Sequence, residues 1–298
     1  MSLERRDFLK YVGMGAIATT IRPNIDAPQD APLVNEQKIH PDFRSNNPGL
    51  EYYLLGNGLI LTALQISPKL ESGTHCGMLV SSSEHFCRKL STYLFHPERG
   101  LQNTRFTINI DGKGYGPEYD KSTIRWEYPD NVPTIVIEWT AGECAVREEL
   151  TCPINDSALV RRLTVQNKSS VAVKGTGTIL LYPNLMFFDE YHVDRERGTL
   201  AATGYATMEM FCLNEATPGD RHLNVMFGEI PAGGKKTSTV VLTVNLPRAK
   251  FEKKGLPAML KESQKYWGQR ANCETNHDGL NHLFHSAVTG IRSAVARS

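Results

Sequence analysis

A chain of 298 residues with 40% apolar and 22% charged side chains suits one large soluble domain or two smaller ones. The formal net charge is +1 and no basic tract stands out, so nucleic acid is not an expected partner. No apolar run reaches the ~20 residues of a membrane-spanning helix, and Cys76, Cys87, Cys144, Cys152, Cys212 and Cys273 form no Cys-x-x-Cys pair; neither a stable membrane span nor a zinc site is expected.

The chain opens with Glu4-Arg5-Arg6-Asp7-Phe8-Leu9-Lys10, followed by a short, mildly apolar segment. This resembles a twin-arginine export signal, with Glu4 where Ser or Thr is usual; a short amphipathic helix with a basic start is the competing reading. The resemblance implies a targeting segment over residues 1–27, with Arg5 and Arg6 as its recognised pair. It also implies a periplasmic or extracellular destination, with any disulfide formed after export. Residues 28–50 carry prolines, Asn and Asp without periodicity and read as a linker.

Strand patterns begin near Asn57, with expected strands over 58–66, 76–80, 105–111 and 122–128. The loop from Gly112 to Pro117 is glycine-rich but opens no helix and lacks a Gly-Lys-Ser/Thr ending, so a wide turn is expected, not a phosphate-binding loop. Residues 134–183 organise the rest and read as four consecutive strands. Ile135, Ile137 and Trp139 alternate with Thr134 and Glu138, and Val146, Glu148 and Leu150 alternate with Arg147 and Glu149. Leu159, Leu163 and Val165 share a face with Arg161, opposite Arg162 and Thr164, while Val171, Val173, Ile179 and Leu181 share a parity. Short turns between them predict antiparallel neighbours in one large sheet. Cys144 and Cys152 flank one of these strands, which leaves a disulfide between them open.

Further strands are expected at 208–213, 223–227 and 239–244. Then the period changes: 257–270 reads as a helix using Met259, Leu260, Tyr266 and Trp267. Residues 275–298 carry Leu280, Leu283, Phe284, Ala287, Val288, Ile291 and Val295 as one apolar stripe. Thr275 with Asp278 suggests a capping box.

The run from Arg147 to Asn167, with Thr151-Cys152-Pro153-Ile154-Asn155-Asp156-Ser157 and Arg161-Arg162 inside it, resembles the N-terminal β-supersandwich of six-hairpin (α/α barrel) glycosidases and glycoside phosphorylases, glucoamylase-like enzymes among them. The order Tyr266-Trp267 and then a helix from Asp278 fits the same pattern. The resemblance implies a mainly β chain, an antiparallel β-supersandwich (galactose-mutarotase-like) over 51–250 with C-terminal helices. Residues 251–298 then correspond to a linker helix and the first helix of an incomplete barrel. The family's catalytic carboxylates sit on the barrel, so no catalytic residue is carried over and no cofactor is expected. A carbohydrate partner is expected. So is contact of residues 275–298 with a separately encoded α/α barrel or with a second copy. A free-standing glycan-binding module and an aldose-epimerase-like enzyme are the alternatives.

Among candidate sites, Asp189, Glu190, His192, Asp194 and Arg195 stand together in a stretch read as an inter-strand loop. Two carboxyls there could form a glycosidase pair; a rim for sugar binding and a solvated loop are the other readings. His282 and His285, with His277 nearby, have helical spacing for a metal but read as solvated histidines. Trp126, Trp139 and Trp267 are read as core aromatics. His222 with Glu209 is the pair an epimerase would need.

Overall fold

The computed structural model describes residues 51–66, 77–82, 105–117, 121–181, 188–204, 206–269 and 275–294. Arg5, Arg6, the linker to residue 50, Cys76, Cys87 and Cys273 lie outside them, as do the side chains of Asp189 and His282.

The chain is mainly β. Its strands are β1 (Glu51–Gly56), β2 (Ile60–Ile66), β3 (Gly77–Ser82), β4 (Phe106–Ile110), β5 (Lys113–Tyr115), β6 (Thr123–Glu127), β7 (Thr134–Ala141) and β8 (Cys144–Thr151), followed by β9 (Ala158–Asn167), β10 (Val173–Leu180), β11 (Phe188–Asp194), β12 (Thr199–Gly204), β13 (Thr207–Cys212), β14 (Ala216–Pro218), β15 (His222–Ile230) and β16 (Lys235–Val244). Helices α1 (Arg248–Lys254), α2 (Leu256–Gly268) and α3 (Asp278–Ala294) follow. All described pairings are antiparallel. The sheets have the orders β1-β2-β3, β14-β15-β10-β4-β5 and β11-β12-β13-β16-β9-β8-β7-β6.

The period-two pattern builds this directly. Strand β8 alternates buried and half-buried residues along its whole length, and its buried parity joins Ile135, Ile137, Trp139, Leu163 and Val165 in the interior. The facing five-stranded sheet adds Phe106, Ile108, Ile179, Leu223 and Val225. Phe106 of that sheet meets Trp139 of the larger one edge-on, with ring centroids 6.0 Å apart.

Two expectations for this block change. The four strands do not share one sheet: β7, β8 and β9 do, while β10 crosses after Asn167 and pairs with β4 and β15 in the opposite layer. Asn167 turns the corner, its Nδ2 donating to the carbonyls of Val171, Ile230 and Pro231. Val171, expected inside, lies in that corner and is 63% exposed. The expected wide turn after β4 is instead a tight hairpin. Asp111 and Gly112 take φ of 49° and 85°, the paired positive values of a two-residue turn that Asp-Gly favours, and β5 returns at once. Cys144, Cys152 and Cys212 are buried free thiols; Cys144 opens β8 and Cys152 follows its last residue. Burial pushes the Cys152 thiol up to about 12.

Helices α1 and α2 cover part of the outer face of the eight-stranded sheet. Ala158, Val160, Phe211 and Val241 point outward from it and are buried under Phe251 of α1 and Met259 of α2. Lys254 reaches both carboxyl oxygens of Asp156 at 3.1 and 2.9 Å and Glu262 at 2.8 Å, and Ser263 accepts the Ile154 amide. The β8–β9 loop is thereby tied to α2.

Helix α3 packs on the β1–β2 turn. Ser293 Oγ accepts the Gly56 amide at 2.9 Å, and Arg292 donates to the Asn57 carbonyl at 2.7 Å. A Cβ on Gly56 would come within 2.7 Å of the Ile60 carbonyl oxygen and 3.0 Å of the Ser293 one, so only glycine admits this approach. The helix is inverted relative to an ordinary amphipathic one. Thr289 and Ser293 are buried, while Leu280, Leu283 and Ile291 are 54, 43 and 63% exposed. Its start also differs from expectation. The helix begins at Asp278, and His277 precedes it, with Nδ1 accepting the Leu280 amide. Asn281, not Asp278, reaches back to the Thr275 amide at 2.8 Å, so no capping box forms.

Candidate functional site

The stretch with Glu190, His192 and Asp194 is a strand, not a loop. Its carboxylates mask a period of two: Tyr191 and Val193 pack on the core, while Glu190, His192 and Asp194 face out. Among the described strands, β11 is one of the two terminal strands of the eight-stranded sheet, opposite β6. A register shift between Phe188 and Glu190 places Asp189 at a bulge. Arg195 is exposed in the turn that follows.

These residues form a polar row on the outer face. His192 Nε2 lies 3.0 Å from Glu190 Oε2 and 3.5 Å from Thr203 Oγ1 of β12. Asp194 Oδ1 accepts the Arg197 amide at 2.9 Å. The His192 and Glu190 side chains are 55 and 67% exposed, so the row meets open solvent and offers no desolvated carboxyl of the kind a general acid needs. Asp194 is held by its own turn, and Arg195 makes no described contact with the row.

Arg248, the first residue of α1, fixes this hairpin. Its guanidinium donates to the Arg197 carbonyl and, at 3.0 Å, to Thr199 Oγ1, and pairs with Glu252 at 2.6 Å. It also lies over the Phe211 ring, 4.8 Å from the centroid. Nothing in the sequence singled out Arg248. α1 itself escaped expectation because seven residues with one buried apolar position show no period; only its flanking Pro247 and Gly255 mark the ends.

A second charged group lies on the same outer face. Arg125 pairs with Glu127 and Glu138 at 2.5 and 2.8 Å, and Arg147 pairs with the same two carboxylates at 2.6 Å each. Hydrogen bonds from Arg125 hold Glu138 below the ordinary carboxylate range, against its burial. Burial pushes Glu127 up, but hydrogen bonds from Arg147 and Arg125 outweigh it, and that carboxyl too is lowered. The cross-strand registers Glu138↔Arg147 and Arg125↔Val136 put these residues on one surface.

The other candidates resolve by position. Glu209 faces outward from β13, where its Oε2 accepts the Arg248 amide at 2.6 Å and caps α1. His222 faces outward from the five-stranded sheet, with Nδ1 2.7 Å from the Asp220 carbonyl oxygen. The two occupy outer faces of different sheets and cannot share a substrate as an epimerase pair. His285 is not simply solvated: its ring packs 5.4 Å from that of Tyr128. Among the described residues, no three His, Cys, Asp or Glu side chains come together as a metal site. Trp139 and Trp267 are buried, as expected. Trp126 is half-buried and stacks on Tyr128, 6.4 Å between centroids and 16° between planes.

No protein-family model matches the sequence, and no curated protein does. Some solved structures are loosely similar. A bacterial glucoamylase bound to acarbose is similar over 84% of this chain at 11% identity and a TM-score of 0.44, and the chain spans 42% of it. A polysaccharide lyase is similar over 70% of this chain and 34% of its own, at 12% identity and a TM-score of 0.34. An Escherichia coli K12 protein assigned as an aldose 1-epimerase is similar over 66% of this chain and 99% of its own, also at 12% and 0.34. The chain thus spans less than half of the first two. Superpositions this loose transfer no site residue.

Proposed function

We propose that this chain is an exported carbohydrate-binding β-sandwich, related to the N-terminal domains of six-hairpin glycosidases, that binds glycan without turning it over. The observation that carries the reading is the row Glu190, His192 and Thr203 on the outer face of β11 and β12. An imidazole, a carboxylate and a hydroxyl, side by side and open to solvent, offer the mixed acceptors and donors that sugar hydroxyls require. Asp194 and Arg195 extend the row, and Asp189 stands at its bulge. Openness favours binding over catalysis, because proton transfer to a glycosidic oxygen calls for a carboxyl raised by burial.

Titration of neutral oligosaccharides into the full-length protein is the test. Glu190→Gln with His192→Ala is expected to weaken binding about tenfold, equivalent to ~1.4 kcal/mol, with no reducing sugar released by either protein. Undiminished binding by the double variant would move the site off β11, and sugar release would make the protein an enzyme.

Export rests on Arg5 and Arg6. Arg5→Lys with Arg6→Lys is expected to retain the protein in the cytoplasm on cell fractionation; unchanged export of that variant removes the signal from the reading. The same reading gives α3 an outside partner, either a separately encoded α/α barrel or a second copy, since Leu280, Leu283 and Ile291 of its apolar stripe are exposed.

A further inference from the structure

The β1–β2 turn brings together two residues for unrelated reasons. Asn57 stands there because its side chain makes four hydrogen bonds: Nδ2 donates to the carbonyls of Pro153 and Asp156, and Oδ1 accepts the amides of Leu59 and Ile60. Gly58 follows because the backbone takes φ of 85° at that position, a conformation that side chains disfavour. Asn followed by Gly is also the dipeptide in which deamidation is easiest, since no side chain shields the following amide nitrogen. Asn57-Gly58 is the one such pair in the sequence. In the reaction, the Gly58 nitrogen gives up its proton to base and attacks Asn57 Cγ. The N–Cγ bond forms, the Cγ–Nδ2 bond breaks, and Nδ2 takes up a proton and leaves as ammonia. Water then opens the succinimide ring at either carbonyl, which gives aspartate or isoaspartate.

The folded chain opposes each of these steps. Asn57 and Gly58 are both buried, which keeps away the base that would take the amide proton and the water that would open the ring. Nδ2 faces two carbonyl oxygens, and neither can supply the proton that ammonia needs on leaving. Bond formation at Cγ would also draw Oδ1 and Nδ2 off their four partners. We propose that Asn57 is a modification site that the native fold shields and unfolding exposes, so that a chain held unfolded deamidates and then fails to rebuild this junction. A carboxylate at position 57 sets an oxygen against the Pro153 and Asp156 carbonyls. An isoaspartate adds a carbon to the main chain of a turn in which Gly56 already has no room for a Cβ between the Ile60 and Ser293 carbonyls. The damage reaches beyond the turn, because α3 is held there through Ser293 and Arg292. The inference is independent of the glycan and export readings.

The test holds the full-length protein in mildly alkaline buffer, native and in guanidinium chloride, and follows the amide at position 57 by peptide fragmentation in a mass spectrometer. A reaction confined to unfolded chains slows by the folded-to-unfolded ratio, on the order of 10³ or more for an ordinary domain. The native sample is therefore expected to keep the amide over a time in which the unfolded sample loses most of it. On dilution from alkaline denaturant, the refolded fraction is expected to fall in step with the amide remaining. From mildly acidic denaturant, where the amide nitrogen keeps its proton, refolding is expected to be complete. Gly58→Ala, compared in denaturant alone so that its folding does not matter, is expected to slow the loss because the added Cβ crowds the nitrogen. Equal loss in the native and unfolded samples, an amide that survives alkaline denaturant, a Gly58→Ala chain that loses it as fast, or a deamidated chain that refolds with the unmodified midpoint each overturns the proposal. So does failure to refold from acidic denaturant with the amide intact, because the cause then lies elsewhere.

Discussion

Replacing Asn57 with alanine is expected to destabilise the fold by about 2–4 kcal/mol, at the large end for one substitution because it breaks a buried hydrogen-bond network. Asn57 is fully buried. Its Nδ2 donates to the carbonyls of Pro153 and Asp156 at 2.5 and 2.7 Å, and its Oδ1 accepts the amides of Leu59 and Ile60 at 2.9 and 3.0 Å. One side chain therefore closes the β1–β2 turn and fastens it to the β8–β9 loop. The Pro153 and Asp156 carbonyls keep the amides of Asp156 and Ala158, so truncation falls chiefly on the Leu59 and Ile60 amides, each worth about 1–3 kcal/mol if nothing replaces the side chain. Relaxation and entering water hold the total below their sum. Asn57→Asp is an informative companion: it keeps the acceptor for the two amides but sets an oxygen against two carbonyls, so it too should destabilise. Urea unfolding monitored by tryptophan fluorescence measures both. A midpoint unchanged by either substitution would show that this junction contributes little to the cooperative fold.

Removing one partner of the Glu148–Arg161 pair is expected to cost about 3–5 kcal/mol, and removing both much less. Glu148 and Arg161 lie inside the sandwich, with side chains 0 and 5% exposed. Arg161 donates to Glu148 through both Nη2 and Nε, the latter at 2.9 Å, and Trp139 Nε1 donates to the other carboxylate oxygen at 2.7 Å. The guanidinium also sits 5.7 Å from the Phe106 ring centroid, on the facing sheet. Glu148→Met strands a buried cation and an indole N–H; Arg161→Met strands a buried anion. The double variant removes both charges together and leaves the indole N–H without this acceptor. A double-mutant cycle on unfolding free energies isolates the coupling, and additive losses would mean that the two charges do not depend on one another.

The same two residues show how far residue order reaches. Alternation put Glu148 with Val146 and Leu150, and Arg161 with Leu159 and Leu163, on the interior parity; that follows from the two-residue repeat of a strand and needs no tertiary information. That the two charges neutralise each other depends on β8 and β9 being neighbours in the register that sets Glu148 opposite Leu163 and Leu150 opposite Arg161. Short turns made that pairing legible. The crossing of β10 to the other layer was not, because a corner such as Lys168–Ala172 and a hairpin turn use the same polar residues, and only the partners of β10 distinguish them.

For the candidate site, the sequence by itself singled out Glu190, His192 and Asp194, since their chemistry is visible in one short stretch. It did not reveal that they share the outer face of a terminal strand: three polar side chains on the wet parity hide the two half-buried ones, Tyr191 and Val193, that define it. Thr203 and Arg248 were invisible for a different reason. Thr203 reaches His192 across a strand pair, and Arg248 joins the hairpin from about fifty residues away. For α3, the apolar stripe was plain from its 3.6-residue repeat, which establishes an amphipathic helix but not which side meets the protein. The tertiary structure decided that. Gly56 lets the helix approach the β1–β2 turn, and hydrogen bonds from Ser293 and Arg292 hold the polar side against it, which leaves Leu280, Leu283 and Ile291 facing solvent. Periodicity is a property of one segment, whereas the direction a face points depends on contacts made by residues distant in the chain.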